Sequence, residues 1–467
     1  MLKRHAAFSL GAPDKRTLTF CRSRCIGQQI PDPALSLARR RLNVLVTTHG
    51  EVLAHTTRAL TIAEELRARG ANVTFAMRGD KTALVQAAGF PVRDSGSVPL
   101  KDVLRRLRRG TTRLCSDSQA VESVNADVEM LGHERPDIVL SDFRPSMAAA
   151  ARITKTPHVS VLNATWTPYL DHDQVRLIWP VHTRFGSVWG MLARALAGPD
   201  LMRFRFLDSL FQAIFRQMLV YGVAPYDKIQ AAHGVARSRD LYHYWLGDLT
   251  LVPDYPSFMP LRKDAPHSVK MTGPLVWRGG RSTEVETLAS QLDRSRPTIY
   301  ATVGSTGDPG LFPMMIEAAT RKNWNLIITK AGLADLSSSG NVFVYDFLPG
   351  EAVMKMSDVT ICQGGSGTIN QAIAAGCPFV GVACNIDQEW NLDRASRLGL
   401  AKVFYREDVD PSMLVDAIDS ILARKEAYRA RFAVFDDDKR KYRGAKTAVD
   451  AIESAIDSGT LPLRALA

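Results

Sequence analysis

The sequence predicts an α/β protein of two facing, doubly wound parallel-sheet domains. Three observations carry this expectation. Short β-branched runs alternate with helix-patterned segments from "LNVLVTT" onward, the alternation fails between about 166 and 244, and a second alternating series starts at "PTIYATV". At 467 residues, 46% hydrophobic and 23% charged, the chain is long enough to bury two cores.

Residues 1–41 carry nine Lys and Arg against Asp14 and Asp32, which accounts for +7 of the formal net charge of +11. Without that leader the body is only mildly basic, which argues against nucleic acid as a partner. The leader has no apolar stretch of signal-peptide length and no sustained period, and reads as a flexible basic extension. A transit peptide is the alternative, because the segment is poor in acids and holds several Arg. Cys21, Cys25, Cys115, Cys362, Cys377 and Cys384 match neither a zinc spacing nor a disulfide framework, so reduced thiols and a cytoplasmic location are expected. No uninterrupted apolar run of about 18 residues occurs, so no spanning helix is expected.

In the first half, "LNVLVTT" ends at His49-Gly50 and leads into the helical pattern of "HTTRALTIAEELRARG" and the strand "NVTFAM", a β-α-β unit. Gly70 suits a left-handed cap behind the basic last turn of Arg67 and Arg69. "DIVLS" and "HVSVL" flank the helix-like "RPSMAAAARITK". The interval 166–244 reads as helices inserted into this domain, rich in aromatic residues and Arg. Most of these should pack as core, with Trp166 and Trp179 as candidate walls for a flat or lipid-like acceptor. Basic amphipathic stretches such as "MRFRFLDSLFQAIFRQML" also suit peripheral contact with a membrane surface. The expected division is an extension at 1–41, a first domain at 42–255, a linker at 256–296, a second domain at 297–445 and a solvated helical tail at 446–467.

The second half contains "SDVTICQGGSGTINQAIAAGCP", in which a strand runs into Gly364, Gly365 and Gly367 and then a helix that stops at Gly376. Such a turn exposes backbone N–H groups at the positive end of a helix and can accept a phosphate. Close packing of a helix on a strand selects glycine as well, so the turn alone leaves both readings open. Eleven residues past Gly376, "NIDQEWN" places Asp387, Gln388 and Asn391 beyond the next strand, at the carboxyl end where ligands of open α/β sheets bind.

From Tyr345 to Asn391 the chain resembles the donor signature of the family 1 glycosyltransferases, which include the bacterial macrolide and natural-product enzymes. The signature W-x-P-Q, H-G-G-x-G-T and D/E-Q-x-x-N corresponds here to Phe347-Leu348-Pro349-Gly350, to Gln363 through Thr368, and to Asp387-Gln388 with Asn391. The resemblance implies a GT-B-like pair of Rossmann-type domains and a nucleotide-sugar co-substrate, most simply a UDP-sugar, with no further cofactor. It implies that Phe347 lies against the nucleobase, that Gln363, Gly364, Gly365, Ser366, Gly367 and Thr368 bind the diphosphate, and that Asp387 and Gln388 bind sugar hydroxyls. "YATVGSTGDPG" resembles the first donor-domain loop, which brings Gly304, Ser305 and Thr306 to the phosphates from the other side. Gln363 stands where the family has histidine and Gly350 where it has glutamine, which leaves the choice of donor open.

An inverting transfer needs a base for the acceptor hydroxyl, and histidine suits this near neutral pH. The family reads G-H-x-x-P before a helix such as L-A-E-E-L. Matching that helix to "TIAEELRARG" puts the histidine at His55, the glycine at Ala54 and the proline at Arg58. His49, nearer the strand end, is the rival. The family's partner acid falls on Asp142, whose other reading is an N-cap for the next helix. The positive helix end replaces a metal in this scheme, and the D-x-D of Asp408 and Asp410 reads as a helix cap. The expected activity is transfer of a sugar from a UDP- or dTDP-sugar to a hydroxyl of a small hydrophobic or lipid-like acceptor. A non-catalytic nucleotide-sugar-binding relative and a nucleotide-sugar epimerase are the alternatives.

Overall fold

Seven strands form the first sheet: β1 (Asn43–Thr47), β2 (Asn72–Ala76), β3 (Val92–Arg93), β4 (Ile138–Asp142), β5 (His158–Val161), β6 (Leu249–Val252) and β7 (Val269–Met271). They pair in parallel in the order β3-β2-β1-β4-β5-β6-β7. The second sheet, β8 (Thr298–Thr302), β9 (Asn325–Thr329), β10 (Val342–Tyr345), β11 (Val359–Cys362), β12 (Phe379–Ala383) and β13 (Ala401–Tyr405), runs β10-β9-β8-β11-β12-β13, also in parallel. This computed structural model describes residues 41–463 apart from 109–112, 114, 176–220, 239–240, 278, 280–281 and 306.

Inner strands such as β4, β9 and β12 are buried on both faces, as parallel sheets require, and so read as largely apolar runs. Helix Leu53–Ala68 lays Ala59, Leu60, Ile62, Ala63 and Leu66 in one cluster with Val44, Val46 and Leu140. It stops at Gly70 (φ 91°), where the Gly70 N–H donates to the Arg67 carbonyl and the Ala71 N–H to the Leu66 carbonyl. That pair of bonds is a Schellman cap. Helix Ser366–Ala375 ends the same way at Gly376 (φ 65°).

In each sheet the chain winds outward in both directions from its first strand, so the connections leaving β1 and β4, and those leaving β8 and β11, diverge and open a crevice at the strand carboxyl ends. The two halves also pack on each other. Tyr255 and Phe258 of the first half meet Phe435 at ring-centroid distances of 5.9 and 6.5 Å. The Arg394 guanidinium donates to the Phe258 carbonyl at 2.9 Å and the Gln174 carbonyl at 3.0 Å.

Two expectations are corrected. The end of the chain is not a solvated tail: helix Ala445–Asp457 returns to the first sheet and buries Ala448, Val449 and Ile452 completely, with Leu461 behind them. Its apolar residues fall on one face, a pattern masked by the charged residues that precede it. The stretch 256–296 is not a plain linker either. It supplies the edge strand β7, too short to leave a periodic trace, and helix Ser282–Gln291. The extension before Arg41 and most of the predicted insertion lie outside the described residues, although 221–232 is helical. Among the described residues no helix is long and apolar enough to cross a membrane.

Candidate active site

The crevice of the first sheet gathers three charged side chains. His55 sits in the first turn of the helix after β1, and Asp142 closes β4. His55 Nδ1 lies 2.9 Å from Asp142 Oδ1, at ion-pair distance but turned out of straight hydrogen-bond geometry. The Asp142 side chain is fully buried and that of His55 is 23% exposed, so the pair opens to solvent only through the imidazole. Arg58, one turn further along the helix, donates from Nε to Asp142 Oδ2 at 2.9 Å and from Nη2 to Oδ1 at 2.6 Å. Burial pushes the Asp142 carboxyl up, but the charges of Arg58 and His55 outweigh it and hold the group below the usual carboxylate value. Asp142 is not a helix cap, since Arg144 occupies that position. Phe143, next in the chain, takes a left-handed backbone (φ 44°) that a β-carbon disfavours, and turns its ring to the edge of His55 at 6.3 Å.

The crevice of the second sheet holds the glycine turn, and its glycines differ. A β-carbon on Gly364 (φ 85°) would sit 2.4 Å from Leu392 Cγ, so this glycine exists for packing. At Gly365 and Gly367 nothing lies within 4 Å of the same position, and the space beside them is open. The Asn391 amide donates to the Gly364 carbonyl at 3.1 Å and so braces the turn. Gln363 is buried, donating to Cys384 Sγ at 3.1 Å and accepting from the Asp308 N–H at 3.3 Å, so its amide is held inside the protein. Gln388 likewise anchors its loop by accepting from the Cys384 N–H at 2.8 Å. Asp387 accepts from the Trp166 indole N–H at 3.0 Å, and its burial pushes the carboxyl up against that bond.

The two crevices face each other. The Leu53 N–H at the start of the His55 helix donates to Ser305 Oγ at 3.2 Å, beside Gly304 on the loop after β8. Asn163, just past β5, accepts from Arg58 Nη1 at 2.5 Å and donates to Ser366 Oγ at 2.5 Å. Ser366 donates in turn to Asp254, past β6, at 3.3 Å. Burial raises the Asp254 carboxyl, opposed by the Ala164 N–H that it accepts and by the Arg58 charge. Thr368 begins its own turn of helix, its N–H donating to the Gly365 carbonyl at 3.0 Å.

Phe347 stacks obliquely on Trp277, with centroids 5.4 Å apart. Where a side chain on Gly350 would project, the Gln371 carboxamide oxygen stands 2.3 Å from the β-carbon position, so an amide from another helix fills that place. Trp166 packs with Phe143, Trp245 and Trp390 at 5.4 to 5.7 Å in an aromatic wall beside Asp387. Thr306 and Trp179 lie outside the described residues. His49 points elsewhere, its Nε2 bonded to the Val98 carbonyl at 2.8 Å, and burial lowers its pKa. Asp410 caps helix Pro411–Leu422 through the Met413 N–H at 2.9 Å. A cavity of about 760 Å³ lined by Ser95, Val98, Gln119, Ser123 and Met130 contains none of these site residues. Sequence reasoning missed Asn163, Asp254, Trp277 and Gln371. Asn163 and Asp254 carried one usable signal, a lone polar residue two positions past a buried strand.

Residues 315–441 match the erythromycin biosynthesis protein CIII-like C-terminal domain. Over 409 residues the chain is 29% identical to the PGL/p-HBAD biosynthesis rhamnosyltransferase of Mycobacterium bovis (strain BCG / Pasteur 1173P2), spanning 87% of this chain and 86% of that protein. Among solved structures, the calicheamicin glycosyltransferase superposes with a TM-score of 0.61 at 20% identity, covering 90% of this chain and 99% of that one. The spinosyn rhamnosyltransferase complexed with thymidine diphosphate gives a TM-score of 0.61 at 17% identity, covering 88% and 100%. The chain has the GT-B fold and is a glycosyltransferase, similar to the family 1 enzymes of natural-product glycosylation.

Proposed function

We propose that this enzyme is an inverting glycosyltransferase that moves a sugar from a nucleotide-diphosphate sugar to a hydroxyl of a small hydrophobic or lipid-like acceptor. The observation that carries this reading is the opposition of the His55–Asp142 pair to the open glycine turn, with Asn163 and Ser366 bonded between them. With Nδ1 turned to the carboxylate, His55 Nε2 is left as the base. It takes the acceptor proton while the acceptor oxygen bonds to the anomeric carbon. The bond from that carbon to the phosphate oxygen breaks, and the nucleoside diphosphate leaves with the electron pair toward the backbone N–H groups at Gly365, Ser366 and Gly367 and the Thr368 hydroxyl. Attack opposite the leaving group inverts the anomeric centre. The positive end of helix Ser366–Ala375 neutralises the leaving diphosphate, so the scheme calls on no metal and no cofactor beyond the donor.

In the same reading Phe347, with Trp277, receives the base, and Gly304, Ser305 and Thr306 close on the phosphates. Asp387 and Gln388 meet sugar hydroxyls, Asp387 exchanging its bond from Trp166 for one from the sugar. Gln363 serves the donor site indirectly, by holding the turn to Cys384 and Asp308. The rhamnosyltransferase relative supports a deoxyhexose, and the thymidine diphosphate complex of the spinosyn enzyme supports a dTDP-sugar beside a UDP-sugar. The aromatic wall of Phe143, Trp166 and Trp245 suits an apolar acceptor, with Trp179 as a further wall, and the acceptor's lipid character fits an enzyme of the cytoplasm that works at a membrane surface.

The test is turnover of a panel of UDP- and dTDP-sugars with a mixed hydrophobic acceptor pool, products being read by mass spectrometry. Transfer is expected in the wild type, with a loss of about 10²- to 10⁴-fold in His55→Ala. Gln363 in place of the family's histidine, with its amide turned inward, motivates a second reading as a non-catalytic nucleotide-sugar-binding protein. Donor binding without transfer in the wild type would decide for that second reading.

A further inference from the structure

We propose that Arg58 is a positioning residue of the proton-accepting pair, holding Asp142 as a charged carboxylate behind His55 and tying the pair, through Asn163, to the glycine turn at Ser366. The inference rests on the reading of His55 as the base. Arg58 stands where the family pattern has proline, so its guanidinium lies outside that pattern. Its geometry is that of a built site and not of a chance surface pair: three of its nitrogens are bonded and its side chain is 12% exposed. Nε and Nη2 grip both oxygens of a fully buried carboxylate in the bidentate fork that arginine alone provides. Asp142 Oδ1 is shared, taking Nη2 at 2.6 Å and His55 Nδ1 at 2.9 Å, so the guanidinium fixes the oxygen against which the imidazole is set.

The third arm runs to the donor side. Arg58 Nη1 bonds the Asn163 side-chain oxygen, and the Asn163 amide reaches Ser366, 203 residues further along the chain. A sugar nucleotide seated on the turn would therefore feel, through two hydrogen bonds, the same guanidinium that sets the base.

The charge has a second effect. A buried carboxylate beside an imidazole makes a strong proton trap, and a trapped proton blocks the base. The Arg58 cation offsets the carboxylate and lowers the affinity of the pair for a proton, whichever of the two groups holds it. The other titratable groups within electrostatic reach of the pair or of Arg58 are His49 from the loop after β1, turned away to Val98, Asp387 from helix Ile386–Arg397 and Asp254 from the segment after β6. Asp387 and Asp254 are carboxyls raised by burial, so Arg58 is the fixed charge of the group.

The experiment compares wild type, Arg58→Met and Arg58→Lys by the pH dependence of kcat/KM. It adds a titration of the His55 imidazole by NMR of ¹³C-labelled histidine, with His55→Ala identifying the resonance. In Arg58→Met the acid limb and the imidazole midpoint should both move to higher pH by about one unit or more. In Arg58→Lys the charge remains, so the midpoint should stay within a few tenths of a unit, while loss of the fork lowers kcat about tenfold with a smaller change in donor KM. An unmoved midpoint in a folded Arg58→Met protein overturns the proposal. If the Met variant does not fold, a midpoint in Arg58→Lys that has moved by a full unit overturns it as well. The imidazole titration needs no turnover. Absence of transfer in the wild type would therefore strike at the glycosyltransferase mechanism and leave the Arg58 pairing decided by NMR.

Discussion

At Gly364 a side chain would run into Leu392 on a backbone of φ 85°, whereas Gly365, its neighbour, has an ordinary φ of −61° and open space where a side chain would project. Gly364→Ala should therefore lower stability by about 1–3 kcal/mol in urea unfolding, through crowding and backbone strain. Gly365→Ala should leave the unfolding free energy within about 0.5 kcal/mol, yet weaken nucleoside diphosphate binding in calorimetry, because its methyl group enters the space the phosphate would use. Equal losses of stability in both variants would remove the distinction. Both glycines were legible as one turn. Which of them is a packing glycine was not, because Leu392 arrives from the helix after the following strand. The same holds for Gln363, whose inward amide depends on Cys384 and Asp308.

The elements whose role depends only on their own pattern were readable: the buried strands, the helix ended by Gly70, and the helix ended by Gly376. Helix Ala445–Asp457 was readable as a helix but not as part of a core, since its apolar face is narrow and its partner, helix Leu53–Ala68, lies nearly four hundred residues upstream. Ile452, fully buried there, should cost about 2–5 kcal/mol when cut to alanine, by lost burial and the cavity left behind. Glu453→Ala on the same helix removes only an exposed pair with Arg69, and should cost no more than about 1 kcal/mol. Denaturant titration of the two variants checks the contrast. Similar midpoints would mean that this helix is not part of the cooperative unit.

The whole chain should weaken in acid for a reason set by burial. His158 lies inside the first sheet with its ring against Ser141, and burial, aided by the Arg152 charge, pushes its pKa down to about 3. An unfolded histidine titrates near 6.5. Between those values the unfolded chain binds a proton that the native one does not, so the His158 contribution is complete above about pH 6.5 and is lost as the pH falls toward 3. Asp142 adds to the loss at lower pH still, because its depressed value means the native carboxylate must be protonated last. Asp254 and Asp387, raised by burial, act in the opposite sense and soften the slope. His158→Gln should flatten the fall in unfolding free energy between pH 6.5 and 4 by an amount on the order of a few kcal/mol, and a slope identical to wild type would show that another group carries it.

Read alone, the sequence determined two parallel sheets and a glycine turn between a buried strand and a helix, each a demand of its own local element, while His55 and Asp142 followed from the family resemblance. The tertiary structure decided which histidine meets Asp142 and made Arg58 their companion. It also carried Asn163 to Ser366, and it turned the end of the chain into first-sheet core. Those contacts join residues 84 and 203 positions apart in the chain, and no local period records them. They arise because parallel strands deliver their carboxyl ends to one edge of a sheet, and because the two edges are packed face to face.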